Sequence, residues 1–498
     1  MERRENNAWF PFVVRLCNTD PVNPSFPLAF LTRRDALQRA ATGFGWLAAT
    51  ALLTDKASAQ SAIPANPLAA KPPQFPVRAK RVIFLFMKGG PSHVDTFDYK
   101  PLLQRDDRKP LPFAKPRVTF AKTENLLASP WKFEKRGQSG IETSELFPHV
   151  AQCVDDMCFI NSLHGTNPAH GGACLKLHTG SDNFVRPSMG AWVAYGLGTE
   201  NQNLPAFITI CPTLAHGGLN NWGAAFLPAS FGGTPIGNAS VPSDQAVVRY
   251  MKNDAVPREL QRAQLDFLNE VNREHLRRSA DASALEGRIA SFELAFRMQN
   301  EMPSAQDISG ESDATKKLYG LDDPVTAPFG RQCLMARRFA ERGVRFIQVS
   351  HSDGDVQWDQ HGNLRKGHTK NAAEVDKPIA GLLKDLKSRG LLDDTLVMWG
   401  GEFGRTPTSQ GTAYDGRDHS PEGFTMWLAG GGVKPGIRYG ATDEYGYYAQ
   451  VNKVHIHDFH ATLLALLGMD HEKLTFRQAG RDFRLTDVAG HVVKEIFA

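Results

Sequence analysis

Arg81-Val82-Ile83-Phe84-Leu85-Phe86-Met87-Lys88-Gly89-Gly90-Pro91-Ser92 is the stretch that sets the architecture. Val82 to Met87 is an unbroken apolar run rich in β-branched and aromatic side chains. It predicts a strand buried on both faces, as in a parallel sheet covered by helices. Gly89-Gly90-Pro91 ends the run, and in open α/β sheets ligands bind beyond that end of the strands. The same pairing of apolar run and polar loop recurs on the C-terminal side. Met157–Ser162, Ala206–Ile210, Arg345–Ser350, Thr395–Trp399 and Thr425–Ala429 read as further strands. Gly171–His178, Ser188–Gly196, Gly330–Arg342, Ala372–Arg389 and Asp458–Leu467 read as helices, with a short one at Glu145–Cys153. This alternation predicts an α/β fold: a doubly wound, mostly parallel sheet with helices on both faces. Residues from about 254 to 300 stand apart, charged and with Leu265, Leu268 and Val271 at helical spacing, and predict an inserted helical pair. Leu102–Ser139, polar and broken by prolines, reads as a surface excursion.

The chain has 498 residues, 57 Lys+Arg against 53 Asp+Glu, 41% hydrophobic and 22% charged. Those fractions are globular and argue against disorder and against a multi-span membrane protein. A net charge of +4, without basic patches interleaved with aromatics, gives no reason to expect nucleic acid. Near the start, Arg33-Arg34, the apolar Ala40–Leu53 and Ala57-Ser58-Ala59 describe a twin-arginine export signal over residues 1–59. The apolar part is shorter than the roughly 20 residues a spanning helix needs, so no stable membrane span is expected once the signal is removed. The expected organisation is a signal at 1–59, an exposed Pro/Ala-rich leader at 60–80 and one domain at 81–498, located in the periplasm or outside the cell. Removing 1–59 leaves five cysteines, an odd and sparse count that is no disulfide framework, so they read as buried hydrophobes.

The unusual polar residues fall just beyond these strands. Ser92, His93 and Asp95 follow the first; His351, Asp353, Asp359 and His361 follow Arg345–Ser350; Glu402 and Arg405 follow Thr395–Trp399. Arg417, Asp418 and His419 precede Thr425, and His170 lies between the second strand and its helix. Carboxylates and imidazoles gathered at one sheet edge suit one or two divalent metals, whether Zn, Ca, Mn or Mg. Asp95, Asp359, His361, Glu402, Asp418 and His419 are the candidate ligands. Arg405 and Arg417 are candidates for neutralising an anionic ester substrate, with His170 as acid/base and Ser92 as nucleophile. Plainer readings exist for each piece: a capped turn at Asp359-Gln360-His361, a Glu402–Arg405 pair, a structural hydrogen bond at Asp418-His419. His93, His455, His457 and His460 read as ordinary core or surface histidines. The sequence has no P-loop and no nucleophile elbow, which weighs against kinase and serine-esterase chemistry.

Phe86–Asp98, Trp358–His361, Gly401–Pro407 and Gly416–His419 together resemble a large bacterial family, the domain of unknown function numbered fifteen-oh-one, often labelled sulfatase-like. The resemblance runs from about Arg81 to the C-terminus. It implies the alkaline phosphatase and sulfatase superfamily, an alkaline-phosphatase-like core, and metal-dependent hydrolysis of sulfate or phosphate esters, with a sulfated polysaccharide among the substrates. Asp359, His361 and His419 match ligand positions of that superfamily. Lys88-Gly89 stands where it places an aspartate, His170 stands where it places the nucleophile, and Glu402-Phe403 replaces an Asp-His pair. The sulfatase Cys/Ser-x-Pro-x-Arg motif is absent from the sequence. The alternative is an exported binding or assembly protein that keeps the fold without hydrolysis.

Replacing Arg33 and Arg34 with Lys is expected to hold the precursor in the cytoplasm. Cell fractionation checks this, and undiminished periplasmic delivery of the double variant would refute the twin-arginine reading.

Overall fold

The first strand, β1 (Arg81–Met87), is buried along its whole length. Because side chains alternate across a strand, burial at both parities means that both faces of the sheet are covered. The structure is a computed structural model and describes residues 66–498 apart from 115–121, 250, 252, 254, 279–281 and 353–356. The expected signal, the start of the leader and Asp353 lie outside the described residues.

Twelve strands matter for the site and are numbered in chain order: β2 (Thr123–Leu126), β3 (Met157–His164), β4 (Phe207–Ile210), β5 (Thr234–Ile236), β6 (Phe346–His351), β7 (Thr395–Gly400), β8 (Gly404–Gln410), β9 (Arg417–Ser420), β10 (Phe424–Ala429), β11 (Ile437–Tyr439) and β12 (Val454–His455) follow β1. The main sheet runs β11-β3-β10-β7-β1-β6-β4-β5, with β12 also paired to β3. All its pairings are parallel except the two made by β10. The expected doubly wound, mostly parallel sheet is therefore present. Register places Met87 beside His351 and Phe86 beside Gly400, so these strands end level at one edge. On β10 and β7, Trp427 pairs with Trp399 and their rings stack at 6.0 Å.

The longer helices among the described residues are α1 (His170–Thr179), α2 (Met189–Leu197), α3 (Arg258–Arg278), α4 (Ala282–Gln306), α5 (Ala327–Glu341), α6 (Leu364–Ser388) and α7 (Ile456–Leu466). Ser188 caps α2 by accepting from Ala191 N, and Gly180 ends α1 in the left-handed region (φ 73°), as its place after Thr179 leads one to expect. The inserted pair is α3 and α4, held by a bidentate Arg262–Glu293 contact at 2.7 and 3.0 Å.

Several expectations need correction. Of the three apolar residues on α3, only Leu265 is buried; Leu268 and Val271 are half exposed. The leader is mostly exposed where it is described, as expected, with Phe75 and Val77 in solvent, but it is not loose: Leu68 and Ala79 are buried, and backbone bonds tie Lys71 to Leu197 and Arg78 and Ala79 to Leu466. The helix expected at Glu145–Cys153 is a 3-10 segment at Val150–Asp156. The excursion at 102–139 contributes β2, which pairs with β8. Helix α6 begins at Leu364, two turns before the expected Ala372. The five described cysteines are free and buried, as read, and burial pushes the Cys158 thiol up to about 12. No described helix is long and apolar enough to cross a membrane.

Packing of α5 against α6 is pinned by Arg337, whose buried guanidinium reaches Glu311 and Glu341 at 2.6 Å and Asp385 at 3.0 Å. Arg337→Ala strands those carboxylates without their counter-charge and is expected to cost about 3–5 kcal/mol. Urea unfolding measures this, and a loss below about 1 kcal/mol would show that solvent already screens the cluster.

Candidate metal centre

Strands β1, β4, β6 and β7 are parallel, and β3 runs with them because β10 opposes both β3 and β7. The loops after Met87, His164, Ile210, His351 and Gly400 therefore leave the sheet at one edge, and the chain enters β10 from that edge. Above it lies a small ribbon in which β8 pairs antiparallel with β2 and with β9. Arg405 on β8 sits directly across from His419 on β9. Sequence patterning assigned both to loops; they are strand residues. Gly416, just before β9, makes a close approach to the His361 backbone, since a Cβ there would lie 1.9 Å from the His361 carbonyl oxygen. Leu364 N also donates to Asp415 O (2.6 Å). The segment carrying Asp359 and His361 is thus locked against the strand carrying Asp418 and His419.

Asp359 is the meeting point. Its Oδ2 lies 3.2 Å from His170 Nε2, and its Oδ1 lies 2.9 Å from His361 Nε2, 3.1 Å from His419 Nε2 and 2.6 Å from Arg405 Nη2. Each imidazole is anchored at its other nitrogen: His170 Nδ1 to Glu402 Oε1 (2.6 Å), His419 Nδ1 to Pro168 O (2.6 Å), and His361 Nδ1 to the Gln410 side chain. Such outer partners orient metal-ligating histidines. Among the described residues, two groups of donors lie close enough to hold an ion, His170–Asp359–His419 and His361–Asp418–His419.

The electrostatics follow from burial and neighbours. Burial alone would raise the Asp359 pKa, but the hydrogen bonds from His170, His361 and His419 and the Arg405 charge hold it far below the usual carboxylate range. Burial works against a charged His170, yet Asp359 and Glu402 outweigh it and raise its pKa. Glu402, pushed up by burial, is brought below its ordinary value by His170 and Arg405. His419 is lowered, chiefly by burial, with Arg405 and His170 adding to the effect.

Not every candidate joins this cluster. Asp95 is buried and fully engaged: Arg417 donates to both its oxygens (2.6 and 3.0 Å), and Ser92 Oγ donates to Oδ2 (2.5 Å). Arg417 also donates to the Thr406 and Leu127 carbonyls (3.2 and 3.0 Å). Asp95, Ser92 and Arg417 therefore form a closed clamp under the ribbon. Arg405 is 1% exposed and turns inward to the Gly89, Gly90, Trp358 and Arg417 carbonyls. Neither guanidinium is offered to solvent, against the expectation that they fork onto an anion. Glu402 does not hydrogen-bond Arg405; it accepts from Gly89 N (3.0 and 3.1 Å) and supports His170. His351 pairs with Glu374 (2.9 Å) and accepts from Trp358 Nε1 (2.9 Å), which seats the residue before Asp359. His93, His457 and His460 bond to the carbonyls of Gly446, Gly180 and Leu177, as expected of structural histidines.

His216 went unread at the site, and Lys88 was read only as standing in place of an aspartate. His216 lies with its ring 5.1 Å from that of His170, and buried Lys88 donates from Nζ to Thr213 Oγ1 (3.0 Å). Both belong to loops that follow strands legible in the sequence, and position after a strand was the signal that could have found them.

No curated protein matches the sequence. Among solved structures, the lipoteichoic acid synthase LtaP from Listeria monocytogenes is 11% identical, with 84% of this chain and 78% of that chain covered, at a TM-score of 0.35. The PsFucS1 sulfatase from Pseudoalteromonas sp. is 14% identical, with 79% and 69% covered, at 0.34. Alkaline phosphatase from the Antarctic bacterium TAB5 is 10% identical, with 72% and 92% covered, at 0.30. Likenesses of that strength carry no conclusion about activity. Residues 79–497 match the family model described as protein of unknown function DUF1501, and the chain belongs to that family.

Proposed function

We propose that the chain is an exported, metal-dependent hydrolase of sulfate or phosphate esters built on an alkaline-phosphatase-like core. The observation that carries this reading is the convergence of three anchored imidazoles on Asp359. The partner of His419 Nδ1 is a carbonyl, which only accepts, so the ring proton belongs on that nitrogen. In the neutral ring, Nε2 then turns its lone pair toward Asp359 Oδ1 at 3.1 Å. Two electron-rich atoms so placed repel unless a proton on the ring or a metal cation lies between them. The donor chemistry thus fits a divalent ion held by His170, Asp359 and His419, with His361 and Asp418 beside it. Mixed imidazole and carboxylate donors suit Zn or Mn better than Ca or Mg.

When bound, such an ion supplies Lewis acidity toward an ester oxygen and lowers the pKa of a water. The chain's residues supply the positioning. Glu402 and the Pro168 carbonyl fix the orientation of His170 and His419, and Arg405 keeps Asp359 ionised and in place. The Ser92 proton is committed to Asp95, and Cys174 is buried. With the Ser92 hydroxyl held in that bond and Cys174 shut away from solvent, water is the attacking group in this reading. The buried Ser92 also favours the second reading, a binding or assembly protein that keeps the site without turnover.

Metal analysis of the full chain purified with Zn or Mn separates these. Asp359→Ala, His170→Ala and His419→Ala are each expected to lose most bound metal, and turnover of 4-nitrophenyl sulfate or phosphate should fall at least about 100-fold with it. Stoichiometric metal without turnover of either ester would favour the binding protein; metal unchanged in all three variants would defeat the metal reading.

Asp95→Ala should behave differently. It strands the buried Arg417 charge and is expected to cost about 3–5 kcal/mol of stability while metal content holds. Loss of metal with stability intact would place Asp95 among the ligands after all.

A further inference from the structure

The loop from Cys211 to Trp222, at the end of β4, leaves the same sheet edge as the candidate ligands. It is fixed at its start, where Thr213 Oγ1 accepts from buried Lys88 Nζ (3.0 Å) and from Ala215 N (3.2 Å). It is fixed again at its tip, where the His216 ring lies 5.1 Å from that of His170 and the His216 carbonyl accepts from Asn221 Nδ2 (3.0 Å). His216, Gly217 and Gly218 are consecutively left-handed, at φ 52°, 95° and 52°. A Cβ at Gly217 would come within 2.5 Å of the Asn221 side chain, so this bend needs glycine there. The bend and these contacts hold the loop beside His170.

What it offers is apolar. Leu214 and Leu219, on either side of His216, are 63% and 66% exposed. The run Leu214-Ala215-His216-Gly217-Gly218-Leu219 has no charged side chain. A sugar at this lip would leave hydroxyls facing leucines, whereas an alkyl or aryl group would remove both from water.

We propose that this loop receives the organic group of the ester, so that the substrate is an alkyl or aryl sulfate or phosphate rather than a sulfated polysaccharide. The inference rests on the hydrolase reading for the reaction and on the loop alone for the preference. In the reaction, water forms the new bond to phosphorus or sulfur, the bond from that atom to the organic oxygen breaks, and the alcohol leaves with a proton.

Calorimetry with methyl-, butyl-, hexyl- and octylphosphonate on the zinc-loaded full chain reads the preference without turnover. Affinity is expected to rise roughly 2- to 4-fold per methylene, and Leu214→Ser/Leu219→Ser should flatten the series. A flat series in the unmodified chain, an unchanged slope in the double variant, or glucose 6-phosphate bound more tightly than hexyl phosphate would each overturn the proposal. Hydrolysis of hexyl phosphate and hexyl sulfate is scored separately. A chain-length trend without turnover keeps the lip and removes the hydrolase; turnover without a trend does the reverse.

Discussion

A single carboxylate organises this sheet edge. Asp359 is approached by three imidazole nitrogens at 2.9–3.2 Å and by a buried guanidinium at 2.6 Å. Those neighbours hold the carboxyl pKa far below its usual range, whereas burial by itself would raise it. Each neighbour in turn is oriented by a partner that Asp359 does not touch: Glu402 for His170, the Pro168 carbonyl for His419, and the carbonyls of Gly89 and Gly90 for Arg405. Removing Asp359 would therefore release His170, His361 and the paired strand residues Arg405 and His419 together, which is why its position constrains so much of the surrounding backbone.

The ribbon β8–β9 is what brings these loops into range. It is held from below by Asp95 and Arg417, an ion pair wholly out of solvent with every hydrogen-bonding atom engaged. A buried pair of this kind is poor evidence of added stability, because desolvation offsets much of the attraction. Its value lies in geometry: Arg417 can be satisfied only where Asp95, Thr406 and Leu127 coincide, and that fixes the register of Asp418 and His419 one and two residues further on. Arg405 does the same on the other strand of the ribbon. Both arginines act on the protein's own backbone, which leaves recognition of a substrate to groups nearer the surface, His216 and its loop among them.

The main sheet was legible because its strands are apolar runs, and burial on both faces is the physical cause of such runs. Strands β8 and β9 were not, because GRTPTSQ and RDHS carry no apolar pattern and include a proline. Their burial is sustained by ion pairs and carbonyl contacts, and these depend on residues more than 300 positions away, such as Asp95 and Gly89. The same distance explains the mixed outcome for the candidate residues. Asp359, His361, Asp418, His419 and His170 do meet, since position after a strand was enough to gather them. The roles of Ser92, Asp95, Arg405 and Arg417 turned on which partner each would find, and sequence spacing says nothing of that. The Leu268 and Val271 stripe on α3 failed for a related reason: helical spacing predicts that residues share a face, not which face is covered.

The central claim is that Asp359 and its histidines hold a cation. Anomalous diffraction from crystals of the zinc-loaded protein, collected on both sides of the zinc edge, tests it most directly. The account predicts a peak about 2.0–2.2 Å from His170 Nε2, His419 Nε2 and an Asp359 oxygen. Fully occupied crystals with zinc only elsewhere, and with His419 Nε2 still 3.1 Å from Asp359 Oδ1, would contradict it.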